Sequence, residues 1–190
     1  MRQELENGWI ELNETFLSSD EAWILFEELL QKTQWTQGSI TIFGKQIQIP
    51  RQEAFYSSNG QKYGYSGQRM ISHSFTPLLQ HLLDRIEKHS GHSFNSVLIN
   101  LYRDGKDSNG WHADNEPELG QNPVIASLSL GSTRNFDLKH QQTGEKLKLP
   151  LRHGSLLLMG GQIQHFWKHQ IAKSTKIQEP RINLTFRKII

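Results

Sequence analysis

Two stretches of this chain carry the residues best suited to chemistry: His112-Ala113-Asp114, and Arg181-Ile182-Asn183-Leu184-Thr185-Phe186-Arg187 near its end. In an extended strand residues i and i+2 point to one side, so His112 and Asp114 project together while Ala113 faces away. Two imidazoles and one carboxylate can hold a divalent metal on one face and leave the opposite positions open. A second imidazole is therefore required. His165 and His169 both follow a predicted strand at 154–159, in a stretch rich in Trp and Phe, and either can close the set. Alternation along 181–187 puts Ile182, Leu184 and Phe186 on one face and Arg181, Asn183, Thr185 and Arg187 on the other. Upstream, Leu98, Asn100 and Tyr102 share a face of the strand that precedes His112. Arginine suits a carboxylate because its planar fork donates two parallel hydrogen bonds, and a buried arginine is costly without an anion. Together these features predict a dicarboxylate seated beside a metal.

The elements that must position these groups are legible in outline. Asp20 to Gln31 has the period of an amphipathic helix, with Trp23, Phe26, Leu29 and Leu30 on one face and Ser18, Ser19 or Asp20 as its cap. A second helix is predicted over Pro77 to His89, with Leu78, Leu79, Leu82, Leu83 and Ile86 as its stripe and proline tolerated in the first turn. Between them Ser39 to Ile49 alternates Ile40, Ile42, Ile47 and Ile49 with polar residues around Gly44, which is a hairpin pattern. From Phe94 onward short strands follow one another: 96–102, 124–130, 134–139, 146–149, 154–159 and 181–190. Many short strands without long helices between them argue for a sandwich, jelly roll or small barrel. The predicted organisation is one catalytic domain over 1–190, with helices and hairpin in 1–93 and an all-β core in 94–190.

Composition narrows the classes. The 190 residues suffice for one domain with a real core, and the apolar fraction of 35% includes five Trp and nine Phe. There are no cysteines, which excludes disulfides, iron–sulfur clusters and thiolate zinc sites. A net charge of +2 permits nucleic-acid binding without demanding it. No apolar run approaches the ~20 residues of a membrane span. The opening Met1-Arg2-Gln3-Glu4-Leu5-Glu6 lacks the apolar core of a secretion signal. The expectation is a cytoplasmic monomer, nuclear in a eukaryote, with no membrane partner.

Five segments carry a family resemblance: 97–105 (Val-Leu-Ile-Asn-Leu-Tyr-Arg-Asp-Gly), 112–116 (His-Ala-Asp-Asn-Glu), 125–131 (Ile-Ala-Ser-Leu-Ser-Leu-Gly), 153–159 (His-Gly-Ser-Leu-Leu-Leu-Met) and 180–188. From about Ile42 to its end the chain resembles the AlkB family of iron(II)- and 2-oxoglutarate-dependent dioxygenases, and within it the branch that repairs duplex DNA. The resemblance implies an α+β, mainly β fold: a double-stranded β-helix (jelly-roll) core with N-terminal helices and a nucleotide-recognition hairpin lid. It implies His112, Asp114 and His169 as iron ligands, His169 being preferred to His165 by its spacing to Arg181. It implies Arg187 as the clamp on the distal carboxylate of 2-oxoglutarate and Arg181 near the chelating end, supporting Asp114. Asn100, Tyr102, Asn183 and Thr185 stand on the co-substrate face. Pro50-Arg51-Gln52 and 63–67 (Tyr-Gly-Tyr-Ser-Gly) resemble the lid, with Tyr65 stacking on a flipped base and Tyr63 and Ser66 making polar contacts. Glu116 matches a carboxylate that meets the exocyclic amine of a damaged base. Ile42-Phe43-Gly44 resembles a hydrophobic finger that enters the base stack.

The implied reaction is oxidative demethylation of 1-methyladenine or 3-methylcytosine in DNA after base flipping. It consumes 2-oxoglutarate and O2 and releases formaldehyde, succinate and CO2. Lys45, Arg51, Arg103, Lys106 and Lys168 are candidate phosphate contacts. The chain departs from the family pattern at Trp111 and Asn115 and in a short 134–148 loop. Two other readings stay open: the same chemistry on RNA or another methylated substrate, and a jelly-roll binding module holding a structural metal.

Overall fold

A computed structural model describes residues 2–42, 44–58, 64–65, 68–69 and 71–190; Phe43, Tyr63 and Ser66 lie outside the described residues, and Ile42 and Tyr65 are placed by backbone alone. The chain opens with strands β1 (Arg2–Leu5) and β2 (Gly8–Asn13), then helix α1 (Ser19–Lys32). A hairpin of β3 (Ser39–Ile42) and β4 (Lys45–Gln48) leads into β5 (Gln52–Ser57) and the two-residue strands β6 (Gly64–Tyr65), β7 (Gln68–Arg69) and β8 (Ser72–His73). Helix α2 (Pro77–Ser90) precedes β9 (Ser96–Tyr102), β10 (Asn109–His112) and a 3-10 turn at Pro117–Leu119. The rest is β11 (Ile125–Gly131), β12 (Arg134–His140), β13 (Lys146–Leu151), β14 (Ser155–Gly161), the short α3 (Ile163–Phe166), β15 (Trp167–Ile171) and β16 (Arg181–Arg187).

Local chemistry explains both long helices. The Ser18 hydroxyl accepts from the Glu21 N–H at 3.3 Å while the Glu21 carboxylate accepts from the Ser18 N–H at 3.0 Å, a capping box that starts α1. In α2 the Thr76 hydroxyl accepts from the Leu79 N–H at 3.2 Å, proline opens the first turn, and Gly91 ends the helix in the left-handed region. One expectation fails in α1. Trp23 is 47% exposed, at the core's edge between His153 and Phe26, and the buried face is Ala22, Leu25, Phe26 and Leu29.

The strands form two layers of a jelly roll. The major sheet runs β1-β2-β14-β11-β16-β9-β5-β8, and the minor sheet β10-β15-β12-β13 faces it. Strands from the first 93 residues thus hydrogen-bond directly into the major sheet, on both its flanks. One core fills the space between that sheet and the two helices, with Ile99, Leu128, Ile182, Leu184 and Phe186 against Phe26, Leu29, Leu82 and Ile86. A second core lies between the sheets, with Leu98, Tyr102, Leu157 and Met159 against Phe136, Leu138, Trp167 and Ile171. Every residue of β9, β11 and β16 is buried. Among the described residues no helix is long and apolar enough to cross a membrane.

Gly131 lets α1 approach the end of β11. Its φ is +83°, and a Cβ there would stand 2.5 Å from the Pro180 carbonyl oxygen and 2.8 Å from the Phe26 ring. Gly131→Ala is expected to destabilise the protein by at least ~1–3 kcal/mol, the cost of the left-handed conformation before any clash is counted. Urea melts check this, and an unchanged midpoint would contradict it.

Candidate active site

The sequence predicts His112 and Asp114 on one strand face, but β10 ends at His112 and Asp114 follows in the connecting loop. The second imidazole comes from β15, which pairs antiparallel with β10 so that His112 and His169 are direct partners, their rings 4.2 Å apart. One ligand atom from each of His112, Asp114 and His169 lies within 4.8 Å of the others. His165 is exposed on α3 and takes no part. The preference for His169 over its neighbour is therefore the one this geometry satisfies.

Each ring and carboxylate is braced. Nδ1 of His112 lies 2.7 Å from the Gly110 carbonyl oxygen, which fixes the proton there and leaves Nε2 its lone pair. That Nε2 is 3.1 Å from the Asn109 amide nitrogen and 3.8 Å from Asp114 Oδ1. The Phe136 ring stacks on His169 at 4.9 Å. The Asp114 N–H donates to the Gln164 side-chain oxygen at 2.9 Å, and Arg187 Nη2 donates to Asp114 Oδ2 at 2.9 Å. Asp114 Oδ1 is buried with no hydrogen-bond partner.

Burial alone would raise the Asp114 pKa, but Arg187, His169 and His112 together hold it well below the usual carboxylate range. Burial, with His112 nearby, pushes His169 down to about 3, and burial also lowers His112. The triad is thus a carboxylate and two neutral imidazoles at neutral pH. Those are the protonation states a divalent metal needs.

A polar row runs from this triad along the inner face of the major sheet. Antiparallel register sets Asn183 opposite Asn100 on β9 and Arg181 opposite Tyr102, while Ser127 and Ser129 of β11 flank the other side of β16. Leu98, Asn100, Tyr102, Asn183, Thr185 and Arg187 line one pocket together with the triad. Asn183 donates both amide hydrogens, to Ser127 Oγ at 2.8 Å and the Leu128 carbonyl at 3.0 Å, and accepts from Thr185 at 3.3 Å. At the far end the Arg181 guanidinium lies 5.3 Å from the centre of the Tyr102 ring and donates to Ser129 Oγ at 2.9 Å. Its Nε and Nη1 are buried with no hydrogen bond of good geometry, and burial, only partly offset by the Tyr102 side chain, brings its pKa down to about 10.

Two sequence assignments, both at arginines, are corrected by these contacts. The arginine that supports Asp114 is Arg187, not Arg181; Arg181 sits at the other end of the row, beside Tyr102. Alternation told which face the arginines share but not which one the 112–116 loop would reach. Arg51, read as a lid residue facing nucleic acid, is buried beneath the pocket floor. It donates to Asn100 Oδ1 at 2.9 Å and lies 3.7 Å from Glu53, so it turns the Asn100 amide hydrogens toward the pocket. Arg103, a candidate phosphate contact, is half-exposed and makes a two-pronged pair with Asp107.

The lid is seen in part. β3 and β4 pair only with each other; β4 is exposed throughout and Gly44 at the turn has open space around it, so this hairpin projects from the body. Glu116 begins the 3-10 turn just after the ligand loop and is not among the pocket's lining residues. Gln164 and Asn109, both braces of the triad, gave no sequence signal.

Comparison with known proteins decides the family. The model of the 2OG-Fe(II) oxygenase superfamily matches residues 10–187. Human alpha-ketoglutarate-dependent dioxygenase alkB homolog 3 is 42% identical over 176 residues, covering 88% of this chain and 61% of its own length. The DNA oxidative demethylase ALKBH2 is 37% identical over 177 residues in human and mouse, covering 87% of this chain and 68% and 74% of those proteins. The chain belongs to the AlkB family. Against the solved structure of OsALKBH1 the TM-score is 0.69 at 18% identity, covering 98% of this chain and all of that one, which supports the fold. The chain spans about three-fifths of the length of the alkB homolog 3 relatives it matches.

The residues present fit the family's cofactors. Two imidazoles and a carboxylate, with no thiolate and with a buried carboxylate oxygen lacking a hydrogen-bond partner, fit iron(II). A buried guanidinium with two nitrogens, Nε and Nη1, that make no hydrogen bond fits a carboxylate of 2-oxoglutarate.

The depressed His169 pKa sets a pH dependence. Below about 6.5 the unfolded chain protonates this imidazole, but the folded one stays neutral down to about 3. Metal-free protein is therefore expected to lose stability as pH falls from about 7 to about 5, by at most ~1.4 kcal/mol per pH unit for this one proton. His169→Asn should flatten that slope in urea melts. An equal slope in the variant would mean His169 is already protonated in the fold.

Proposed function

We propose that this protein is an iron(II)- and 2-oxoglutarate-dependent demethylase that removes N-methyl groups from flipped 1-methyladenine and 3-methylcytosine in DNA. The observation that carries this reading is a buried, underbonded Arg181 in the same polar row as a braced His-His-Asp set. A structural metal site alone gives no reason to bury such a guanidinium. The naming of the 37%-identical relatives as DNA oxidative demethylases supports the substrate class.

His112, Asp114 and His169 would hold the iron, and Arg181, Tyr102 and Asn100 would seat the diacid. Iron with bound 2-oxoglutarate supplies oxidation of a methyl C–H by O2, the diacid leaving as succinate and CO2 and the hydroxylated methyl as formaldehyde. The protein's own residues do the positioning. Arg187 keeps Asp114 ionised and aimed, the Gly110 carbonyl fixes the His112 tautomer, and Arg51 presents the Asn100 amide. Leu98 and Met159 give the pocket an apolar wall that limits water. The projecting hairpin supports entry into a base stack, with Phe43 as the wedge that fills the gap left by the flipped base. A methylated base with its pairing already broken costs less to extrude, which favours the lesion over a normal base.

Iron-loaded protein with 2-oxoglutarate and O2 should release formaldehyde from methylated oligonucleotides in step with succinate. Absence of both from a metal-replete sample would sink the reading. Arg181→Met should raise KM for 2-oxoglutarate ~10- to 150-fold, the loss of charged hydrogen bonds worth about 1.5–3 kcal/mol, with little change in KM for DNA. Phe43→Ala should impair repair of duplex far more than of single strands, and equal loss on both would remove the duplex assignment.

A further inference from the structure

The outer face of the minor sheet carries a charge pattern that folding does not explain. Along β12 the buried residues Phe136, Leu138 and His140 alternate with Asp137 and Lys139, which face away from the core. Lys139 stands directly opposite Lys146 of β13 on one side and Lys168 of β15 on the other. All three are exposed. Like charges directly opposite on neighbouring strands destabilise a sheet, so a row of three is retained against stability. None of the three has an ion-pair partner among the described residues. The acid within the patch, Asp137, is already engaged by Gln170 at 3.2 Å and Lys148 at 3.8 Å.

Trp111 adds an aromatic to this row. It is 44% exposed on the edge strand β10, immediately before the metal ligand His112. Its side chain lines two grooves at once, one with Lys139 and Lys168 and the other with Lys146 and Lys148. A large apolar ring left open to solvent between lysines has the makeup of a single-strand platform, where aromatics stack on bases and cations track the phosphates. Every base has a π-face, so such a surface grips a strand without reading its sequence. The position beside His112 puts it at the margin of the proposed active site.

We propose that this face binds the unpaired DNA strand flanking the base held in the active site, with Trp111 stacking on one base and Lys139, Lys146 and Lys168 contacting phosphates. The proposal rests on the demethylase reading, but its test does not need turnover. A long, unmodified, labelled oligothymidylate serves as the probe, its affinity measured by fluorescence polarisation over a series of salt concentrations. Trp111→Ala should weaken binding ~5- to 150-fold, the range for loss of one stacked base, and Trp111→Phe should restore most of it. Lys139→Ser with Lys146→Ser should lower the slope of log Kd against log salt by about 1.4, or about 0.7 for each single-strand phosphate no longer neutralised by a lysine. Circular dichroism and melting curves show whether each variant is folded. Demethylation of a methylated trinucleotide, too short to reach the patch, should be unchanged in the lysine variant. Wild-type affinity and salt slope in both folded variants would overturn the proposal while leaving demethylation standing. Absence of turnover in the wild type would strike the demethylase reading alone, since oligothymidylate binding still decides the surface.

Discussion

A carboxylate almost without solvent exposure must stay ionised to be useful to a metal, and here the Arg187–Asp114 pair makes that possible. Isolated burial would neutralise Asp114; the guanidinium at 2.9 Å reverses the balance. Removing one partner of such a pair leaves an uncompensated charge and typically costs about 3–5 kcal/mol. The pair also ties the last strand to the loop after β10, so the aim of a metal ligand is set by a residue from the far end of the chain. Gln164 from α3 and the Gly110 carbonyl complete the framing. The triad is therefore assembled from pieces that no short segment could supply.

That assembly depends on a sheet buried on both faces. Toward the helices β9, β11 and β16 present only aliphatic and aromatic groups, and this face drives packing. Toward the minor sheet the same strands carry Asn100, Ser127, Ser129, Arg181, Asn183 and Thr185 amid apolar neighbours. Buried polar groups are tolerated when their hydrogen bonds are made. Most are made here across strands, as between Asn183 and Ser127, and Arg181 is the marked exception. Unmet hydrogen-bonding capacity at both ends of the row, on Arg181 and on Asp114 Oδ1, is what distinguishes a binding pocket from a polar core.

The sequence was informative where periodicity and burial coincide. The strand over Ser96–Tyr102 has the predicted bounds, and the two faces of 181–187 separate as alternation demands. Both helices lie within a residue or two of their expected ends, their starts marked by Ser18 and Pro77 and their apolar stripes fixing the rest. Pairing was not legible. β10 is a short Asn-Gly-Trp-His segment with turn-forming residues, and the sequence predicts no element over the stretch that forms β15, so their meeting at His112 and His169 had no local sign. The same limit exchanged the roles of the two arginines and left Arg51 facing the wrong way. Alternation fixes a face, but only tertiary register decides which end of a strand meets which loop.

The double burial of the major sheet also shapes how this protein can change over time. Substitutions in β9, β11 and β16 meet packed atoms on either side, so nearly every drift there is penalised by volume, charge or both. The strand over 45–48 and the lysine-bearing outside of the minor sheet lie under no such constraint, since side chains there end in solvent. Variation is thereby channelled to the rim. The oxidising centre can stay constant while new contours and charges are tried around it, and a change of target need never disturb the chemistry.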